Sequence, residues 1–252
     1  MNQSLGGKIF KYTMKSIGLI LVFGTIGILL WRMFSSGDPT SMKTLDVNPV
    51  LKEAYEKAVS EDRTLDAFTQ EQPTNITTGQ KSYSYFSARN VVFIRDAKQV
   101  QLTFRYNNST IRHLVEDYSL AETPKREDDL YDVTLWVVYD LTPDVTEDNE
   151  IDHENVKKVR VHATASETRA DTKSLYNYRK LVFDGVDFSN PDEPILAVYM
   201  DVYYNEDIDY EAEPYGTLPL YQKIYEDEGV NEPYELTKQD QKAIESFKSE
   251  HE

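Results

Sequence analysis

The chain has 252 residues, of which 40% are hydrophobic and 12% aromatic, and a formal net charge of −17, a composition typical of a globular protein with an acidic surface. Such a surface repels phosphate backbones, which argues against a nucleic-acid-binding role. Cysteine is absent, which excludes disulfides, thiolate metal sites and a cysteine nucleophile, and favours a bacterial source for an extracytoplasmic domain.

An apolar run near the N-terminus predicts a single transmembrane helix over residues 16–34. No residue between Ser16 and Trp31 is charged, and the run is near the lower length limit for crossing a hydrocarbon core of about 30 Å. A cleaved signal peptide is the alternative, but Ser35-Ser36-Gly37 matches a small-residue cleavage site poorly. Three lysines precede the run and one arginine follows it, so we expect residues 1–15 to form a cytoplasmic tail.

The charge is divided unevenly by this helix. The flanking basic residues are Lys8, Lys11, Lys15 and Arg32, and no acidic residue precedes Asp38. Removing these four from the 27 basic residues leaves 23 against 44 acidic ones, so the chain from Met33 onward carries a charge of −21. We expect this acidic part to be extracytoplasmic and to lie close to the cell membrane.

Residues 35–81 are predicted to form a spacer and a helical stalk. Asn48 followed by Pro49 is the pattern of an N-cap and a first helical residue, so we expect a helix over Pro49–Val59. A second short helix is predicted over Leu65–Phe68, followed by a loop over Gln70–Lys81.

Residues 82–215 carry the alternating pattern of β-strands. Apolar residues at 100, 102, 104 and 106 alternate with Gln99, Gln101, Thr103 and Arg105, which predicts a half-buried strand. A turn at residues 96–98 joins it to a strand over Asn90–Arg95. Four further strands are predicted over Tyr131–Leu141, Val156–Ser166, Tyr176–Phe183 and a central Ile195–Tyr204. The expected fold is mainly β, an antiparallel immunoglobulin-like β-sandwich with short flanking helices.

Residues 216–252 are predicted to be a C-terminal helical extension. One helix is expected over Pro219–Asp227 and a second from Thr237 to about Lys248. Thr237 and Asp240 have the spacing of a capping box at the start of the second helix.

Motifs for catalysis are missing from the sequence. It contains no H-E-x-x-H, no G-x-S-x-G and no phosphate-binding glycine loop. His162 falls on the polar face of a predicted strand beside Lys158 and Arg160, where a solvated position is expected. The sequence therefore predicts no catalytic residues and a protein that is not an enzyme.

Two acidic stretches are candidates for cation binding. The first holds Asp144, Glu147, Asp148, Glu150, Asp152 and Glu154, and the second holds Glu206, Asp207, Asp209, Glu211 and Glu213. If the second stretch is extended, Asp207, Asp209, Glu211 and Glu213 project from one side and could offer oxygens to Ca²⁺. The alternative is a loop kept soluble by its charge, with no cofactor.

Tyrosine is abundant, with 18 in the chain. Tyrosines favour strands, but they also suit protein interfaces and stack on sugar rings. The group that we predict to be an interaction surface consists of Tyr199, Tyr203, Tyr204 and Tyr210.

The sequence favours a non-catalytic, single-pass, membrane-tethered interaction or assembly domain of a bacterial cell envelope, with a protein partner at the outer membrane-proximal surface. The alternatives are a module that binds cell-wall or capsular glycan, and a hydrolase with paired carboxylates that are distant in sequence.

Overall fold

The computed structural model describes residues 5–34, 37–70, 76–78, 81–83, 86–125, 129–141, 156–164, 170–173, 175–223 and 230–251. The helices are α1 (Leu5–Phe34), α2 (Thr40–Lys43), α3 (Pro49–Ser60), α4 (Asn108–Asp117) and α5 (Lys238–His251). The strands are β1 (Ala67–Gln70), β2 (Ile76–Thr78), β3 (Lys81–Tyr83), β4 (Phe86–Ile94), β5 (Gln99–Asn107), β6 (Tyr131–Asp140), β7 (Val156–His162), β8 (Ala170–Lys173), β9 (Tyr176–Asp184), β10 (Ile195–Tyr204), β11 (Gly216–Gln222) and β12 (Asn231–Pro233).

Helix α1 contains the predicted apolar segment. Within it, Thr13–Trp31 is long and apolar enough to cross a membrane, and none of this segment is buried against the rest of the structure. A membrane anchor and an N-terminal signal sequence both have these properties. From Ser16 to Trp31 the segment carries no charged side chain.

The strands form two main antiparallel sheets and one two-stranded ribbon. The first sheet has the order β12-β1-β4-β5-β9-β8, and the second has the order β11-β10-β6-β7. Strands β2 and β3 form the ribbon. The prediction of a mainly β chain with a few helices is confirmed, as is the hairpin of β4 and β5.

The inward residues of both main sheets belong to one hydrophobic core. Phe104 of β5, Leu135 of β6 and Met200 of β10 have no exposed surface, and each belongs to the alternating set on its strand. Strand β10 pairs with β11 on one side and β6 on the other, so the nearly continuous apolar strand is internal in its sheet, as predicted.

The chain that follows α1 covers the outer face of the six-stranded sheet. A second hydrophobic cluster contains Leu45 and Leu51 from this segment and Ile94 from β4. Asn48 caps α3 as predicted, because its Oδ1 accepts a hydrogen bond of 2.9 Å from the backbone N–H of Leu51.

The prediction of a half-buried β5 is wrong. Gln99, Gln101 and Thr103 have no exposed surface, because the segment at residues 42–48 lies over them. The segment accepts a hydrogen bond from each of the three side chains and donates one to Gln101. Polar side chains can be buried when their hydrogen bonds are satisfied, so the alternating pattern alone did not identify the solvent-exposed face.

Two segments that were predicted as helix contain strand instead. Residues 67–70 form β1, which pairs with β4 and β12, instead of ending a helix over Leu65–Phe68. Strand β11 occupies the start of the helix predicted over Pro219–Asp227 and pairs with β10, whereas residues 224–227 of that prediction lie outside the described residues. Part of the predicted loop over Gln70–Lys81 is strand as well, namely β2.

The C-terminal helix begins with the predicted capping box. The backbone N–H of Asp240 donates to Thr237 Oγ1 at 3.2 Å, and Asp240 Oδ2 accepts from the backbone N–H of Thr237 at 2.8 Å. Asp240 also accepts from the backbone N–H of Leu45 at 2.7 Å, which ties α5 to the segment that follows α1.

Candidate functional site

The outer face of the four-stranded sheet brings together polar and aromatic residues from all four strands. On β6, Thr134 lies opposite Asp201 of β10 and His162 of β7. In the next outward row, Trp136 lies opposite Tyr199 and Arg160. These rows form because alternate residues of a strand point to the same face of the sheet. We call the resulting group of Thr134, Trp136, Arg160, Asp201, Tyr203 and Tyr210 the Arg160 cluster.

The guanidinium of Arg160 is enclosed by aromatic rings. Its central carbon lies 4.2 Å from the ring centroid of Trp136 and 4.8 Å from that of Tyr210. The ring of Tyr203 is 5.3 Å away. Cations at these distances are attracted by the ring faces.

Hydrogen bonds fix the same guanidinium in place. Arg160 donates to Tyr203 Oη at 2.9 Å and to Thr134 Oγ1 at 3.2 Å. It also donates to the backbone carbonyl of Tyr210 at 2.7 Å. Since Tyr210 lies between β10 and β11, Arg160 holds the loop at residues 205–215 against the sheet.

The side chain of Tyr210 connects this loop to β6 and β7. Its hydroxyl donates to Asp132 Oδ2 at 2.7 Å, and its ring packs edge-on to the ring of His162 at 5.1 Å. Partial burial and the hydrogen bond to the Asp132 carboxylate raise the pKa of Tyr210 to about 12. The tyrosine is therefore neutral at physiological pH and acts as a donor to Asp132.

Asp201 is the buried carboxylate of the cluster. It is 4% exposed, and its Oδ1 accepts a hydrogen bond of 2.7 Å from Thr217 Oγ1. Burial raises the pKa of Asp201 above its usual range, although Thr217 and the nearby Arg160 favour the charged form. A carboxyl with a raised pKa beside a fixed cation can exchange a proton closer to neutral pH than a solvated aspartate can.

The acidic loop lies beside the cluster and is exposed. Glu206, Asp207, Asp209, Glu211 and Glu213 all have exposed side chains. The loop turns instead of extending, since Asp209 Oδ1 accepts from the backbone N–H of Glu211 at 3.0 Å and the Asp209 carbonyl accepts from the backbone N–H of Ala212 at 3.1 Å. The extended conformation on which the calcium prediction depends is therefore not present.

Metal binding stays a prediction. Within the residues that the structure describes, no group of three or more His, Asp or Glu side chains is placed to hold a metal ion. The other acidic stretch, Asp144–Glu154, lies outside the described residues.

The four predicted interaction tyrosines have two different environments. Tyr203 and Tyr204 are each 4% exposed, with Tyr203 in the Arg160 cluster and Tyr204 donating to Glu206 Oε2 at 2.9 Å. Tyr199 and Tyr210 remain partly exposed on the outer face. Only the second pair is placed to contact a partner with its ring.

Sequence reasoning did not identify Arg160, Asp201 and Trp136 as members of one site. A partial signal existed, because the strand pattern placed Arg160 on a polar face and Trp136 interrupted the polar face of its own strand. The pairing of β6 with both β7 and β10 joins residues that are 16 to 73 positions apart in the chain, and no local pattern reports it.

A shallow groove lies along α4. Its volume is about 400 Å³, and Ile111, Val115 and Pro124 give it an apolar floor beside Arg112. It is open to solvent and contains none of the predicted site residues.

A scan of protein-family models and searches of curated proteins and solved structures found no match for this chain.

Proposed function

We propose that the chain is a non-catalytic, membrane-tethered interaction or assembly domain of a bacterial cell envelope. In this proposal α1 is an uncleaved single-pass anchor with a cytoplasmic N-terminus, and the rest of the chain is extracytoplasmic. The two sheets form an immunoglobulin-like β-sandwich that meets a protein partner close to the membrane.

The observation that carries the proposal is the direct connection between α1 and the sheets. Helix α1 ends at Phe34, and Asp38 is already buried, with its Oδ2 accepting from Arg89 Nε at 2.8 Å. Met42 and Leu45 follow with no exposed surface. A chain of three residues from Phe34 to Gly37 spans at most about 11 Å, so the anchor allows the domain little freedom. A close, restrained position favours a partner in or on the same membrane.

The charge of the acidic loop indicates the chemistry of that partner. Glu206, Asp207, Asp209, Glu211 and Glu213 are exposed beside the partly exposed rings of Tyr199 and Tyr210. Carboxylates around aromatic side chains complement a surface that carries lysine or arginine and an apolar centre. We therefore expect the loop at residues 205–213 to contact a basic surface of the partner.

The test is affinity capture of the tagged full-length chain from detergent-solubilised host membranes. We expect a partner in stoichiometric amount, and we expect the triple variant Asp207→Lys, Asp209→Lys, Glu211→Lys to lose it. The control is Glu122→Lys, Glu245→Lys, Glu250→Lys, which makes the same charge change at exposed positions elsewhere. Recovery of the wild-type chain only as a monomer would refute the proposal, and equal loss from both triple variants would refute the role of the loop.

A further inference from the structure

One end of the six-stranded sheet lies next to the point where the chain leaves α1. Lys173, at the end of β8, donates through Nζ to the backbone carbonyl of Gly37. Arg89 of β4 donates to Asp38, and Asp171 of β8 accepts from the hydroxyl of Ser41 at 2.9 Å. These contacts place the turn between β8 and β9 beside Gly37, three residues from the last residue of α1.

This end of the sheet has the side chains of a membrane-interface site. Leu175, in the β8–β9 turn, is 52% exposed. The guanidinium of Arg105 lies 4.4 Å from the ring centroid of the adjacent Tyr176, and Lys173 is partly exposed. Amphipathic tyrosine rings and long cationic side chains are enriched at the headgroup level of membranes.

The local charge differs from that of the whole chain. Arg89, Arg105 and Lys173 are cationic. Asp38 and Asp171 are acidic, and both take part in the hydrogen bonds that hold residues 37–41 against the sheet. These five side chains sum to +1 in a chain with a net charge of −17, so we expect them to be repelled less by anionic lipid than the acidic surface elsewhere.

We propose that the β8–β9 turn rests on the outer leaflet, with Leu175 in the headgroup region and Lys173 and Arg105 facing lipid phosphates. The partner of this surface is the lipid bilayer itself. The inference rests on the proposed anchoring of α1, because Gly37 lies within about 11 Å of Phe34. The headgroup layer on each side of the bilayer is roughly 5–8 Å thick, which is within the reach of the turn.

The tether is needed for this contact. A single exposed leucine and two or three cations stabilise binding to a membrane only weakly, and stable attachment requires a second signal. Helix α1 supplies that signal by keeping the turn at a high effective concentration next to the surface. The contact would then set the orientation of the two sheets relative to the membrane.

The absence of cysteine makes a direct test possible. The full-length Leu175→Cys variant is labelled with a nitrobenzoxadiazole fluorophore and reconstituted into vesicles of phosphatidylcholine and phosphatidylglycerol that contain a lipid with a nitroxide headgroup. The matched control is Val59→Cys, which is 57% exposed at the end of α3. Helix α3 packs near the start of β5, about 20 Å along the strand from Arg105, so its label should remain in water.

We expect quenching at position 175 to exceed quenching at position 59 by at least about twofold, with a blue-shifted emission at position 175. A third label, at Leu29→Cys inside the apolar segment, reports whether α1 is in the bilayer. Quenching at position 29 with equal, weak quenching at 175 and 59 overturns the lipid contact alone. An unquenched label at position 29 overturns both the contact and the proposed anchor, while failure to capture a protein partner leaves the labelling result unaffected.

Discussion

Asp201 is the residue whose environment differs most from what its sequence context indicates. It lies within the nearly continuous apolar strand β10, on the outward face of the sheet, yet only 4% of it is exposed. Thr217, Arg160 and Tyr203 surround it and partly replace the water that it loses. Burial nevertheless dominates and raises the pKa of Asp201, so the charged carboxylate is less stable in the folded chain than in the unfolded one.

The raised pKa predicts the sign of a pH effect. Because the folded state binds the proton more tightly, the contribution of Asp201 is favourable below the unfolded pKa of about 4 and is lost as the pH rises through the folded pKa. Asp201→Asn keeps an acceptor for Thr217 without the charge. We therefore expect Asp201→Asn to have a higher Tm than wild type at pH 7.5 and the same Tm near pH 3.5, as measured by differential scanning fluorimetry.

Asp207→Asn is the control for this experiment, since Asp207 is exposed on the acidic loop. It should leave the Tm difference between the two pH values unchanged. A Tm of Asp201→Asn below wild type at pH 7.5 would contradict the prediction and would show that the electrostatic attraction of Arg160 outweighs burial.

At the scale of elements, β5 shows how the segment after α1 becomes part of the fold. The side-chain amide of Gln101 accepts from the Asp46 N–H at 2.8 Å and donates to the Asp46 carbonyl at 2.9 Å. It therefore pairs with the Asp46 backbone as the N–H and C=O of a neighbouring strand would. Thr103 donates to the Met42 carbonyl at 2.7 Å. The polar face of β5 therefore binds the backbone of residues 42–48 in place of water.

This arrangement predicts the effect of Gln101→Ala. The variant removes both hydrogen bonds to Asp46 and leaves a cavity, so we expect a loss of roughly 2–4 kcal/mol in the free energy of unfolding. Hydrogen exchange should also accelerate at the amides of Leu45 and Asp46. Urea unfolding and hydrogen-exchange mass spectrometry of the full chain in detergent measure the two effects.

Gln241→Ala provides the comparison, because Gln241 is exposed on α5. It should change the free energy of unfolding by less than about 0.5 kcal/mol. Unchanged exchange at residues 42–48 in Gln101→Ala would mean that the hydrophobic contacts of Leu45 and Leu51 hold this segment without the glutamine.

Strands with a long, regular pattern of apolar residues were predictable from the sequence. The segments of β5, β6 and β7 each have several alternating residues, and that of β10 is nearly continuous in apolar character, so the pattern identified these strands. The segment of β1 has only four residues, which is too short to separate a strand from a helical turn. Pro219 suggested the start of a helix, but it lies in β11. This strand is at the edge of the four-stranded sheet and pairs there with β10, and an edge strand tolerates a residue without a backbone N–H.

The candidate site was less predictable than the strands. Its residues come from β6, β7, β10 and the loop after β10, and their proximity depends on strand pairing across the chain. The tyrosine content was visible, but burial separates Tyr203 from Tyr210 although both lie within seven residues of each other. Arg160 holds the loop against the sheet, and this packing decides which tyrosines face outward. The amino-acid composition does not contain that information.

At the scale of the whole molecule, the charge distribution and the tether support the same orientation. The residues around the apolar segment are basic, and the chain from Met33 onward carries −21. Cationic residues remain on the cytoplasmic side during insertion, so we expect the N-terminus inside and α5 outside. In this proposed orientation both main sheets lie on the outer side and close to the membrane, because Asp38, Met42 and Leu45 are buried soon after α1 ends.

Single-cysteine labelling tests this orientation, because no native cysteine contributes background. Ser246→Cys, exposed on α5, should react with a membrane-impermeant maleimide on intact cells or spheroplasts, whereas Ser4→Cys should react only after lysis. The band labelled at position 4 should have the full mass of 29.2 kDa, since a cleaved signal peptide would remove that label from the domain. Labelling of Ser4→Cys on intact cells would reverse the topology, and loss of the full-length labelled band would replace the anchor with a signal peptide and release the domain from the membrane.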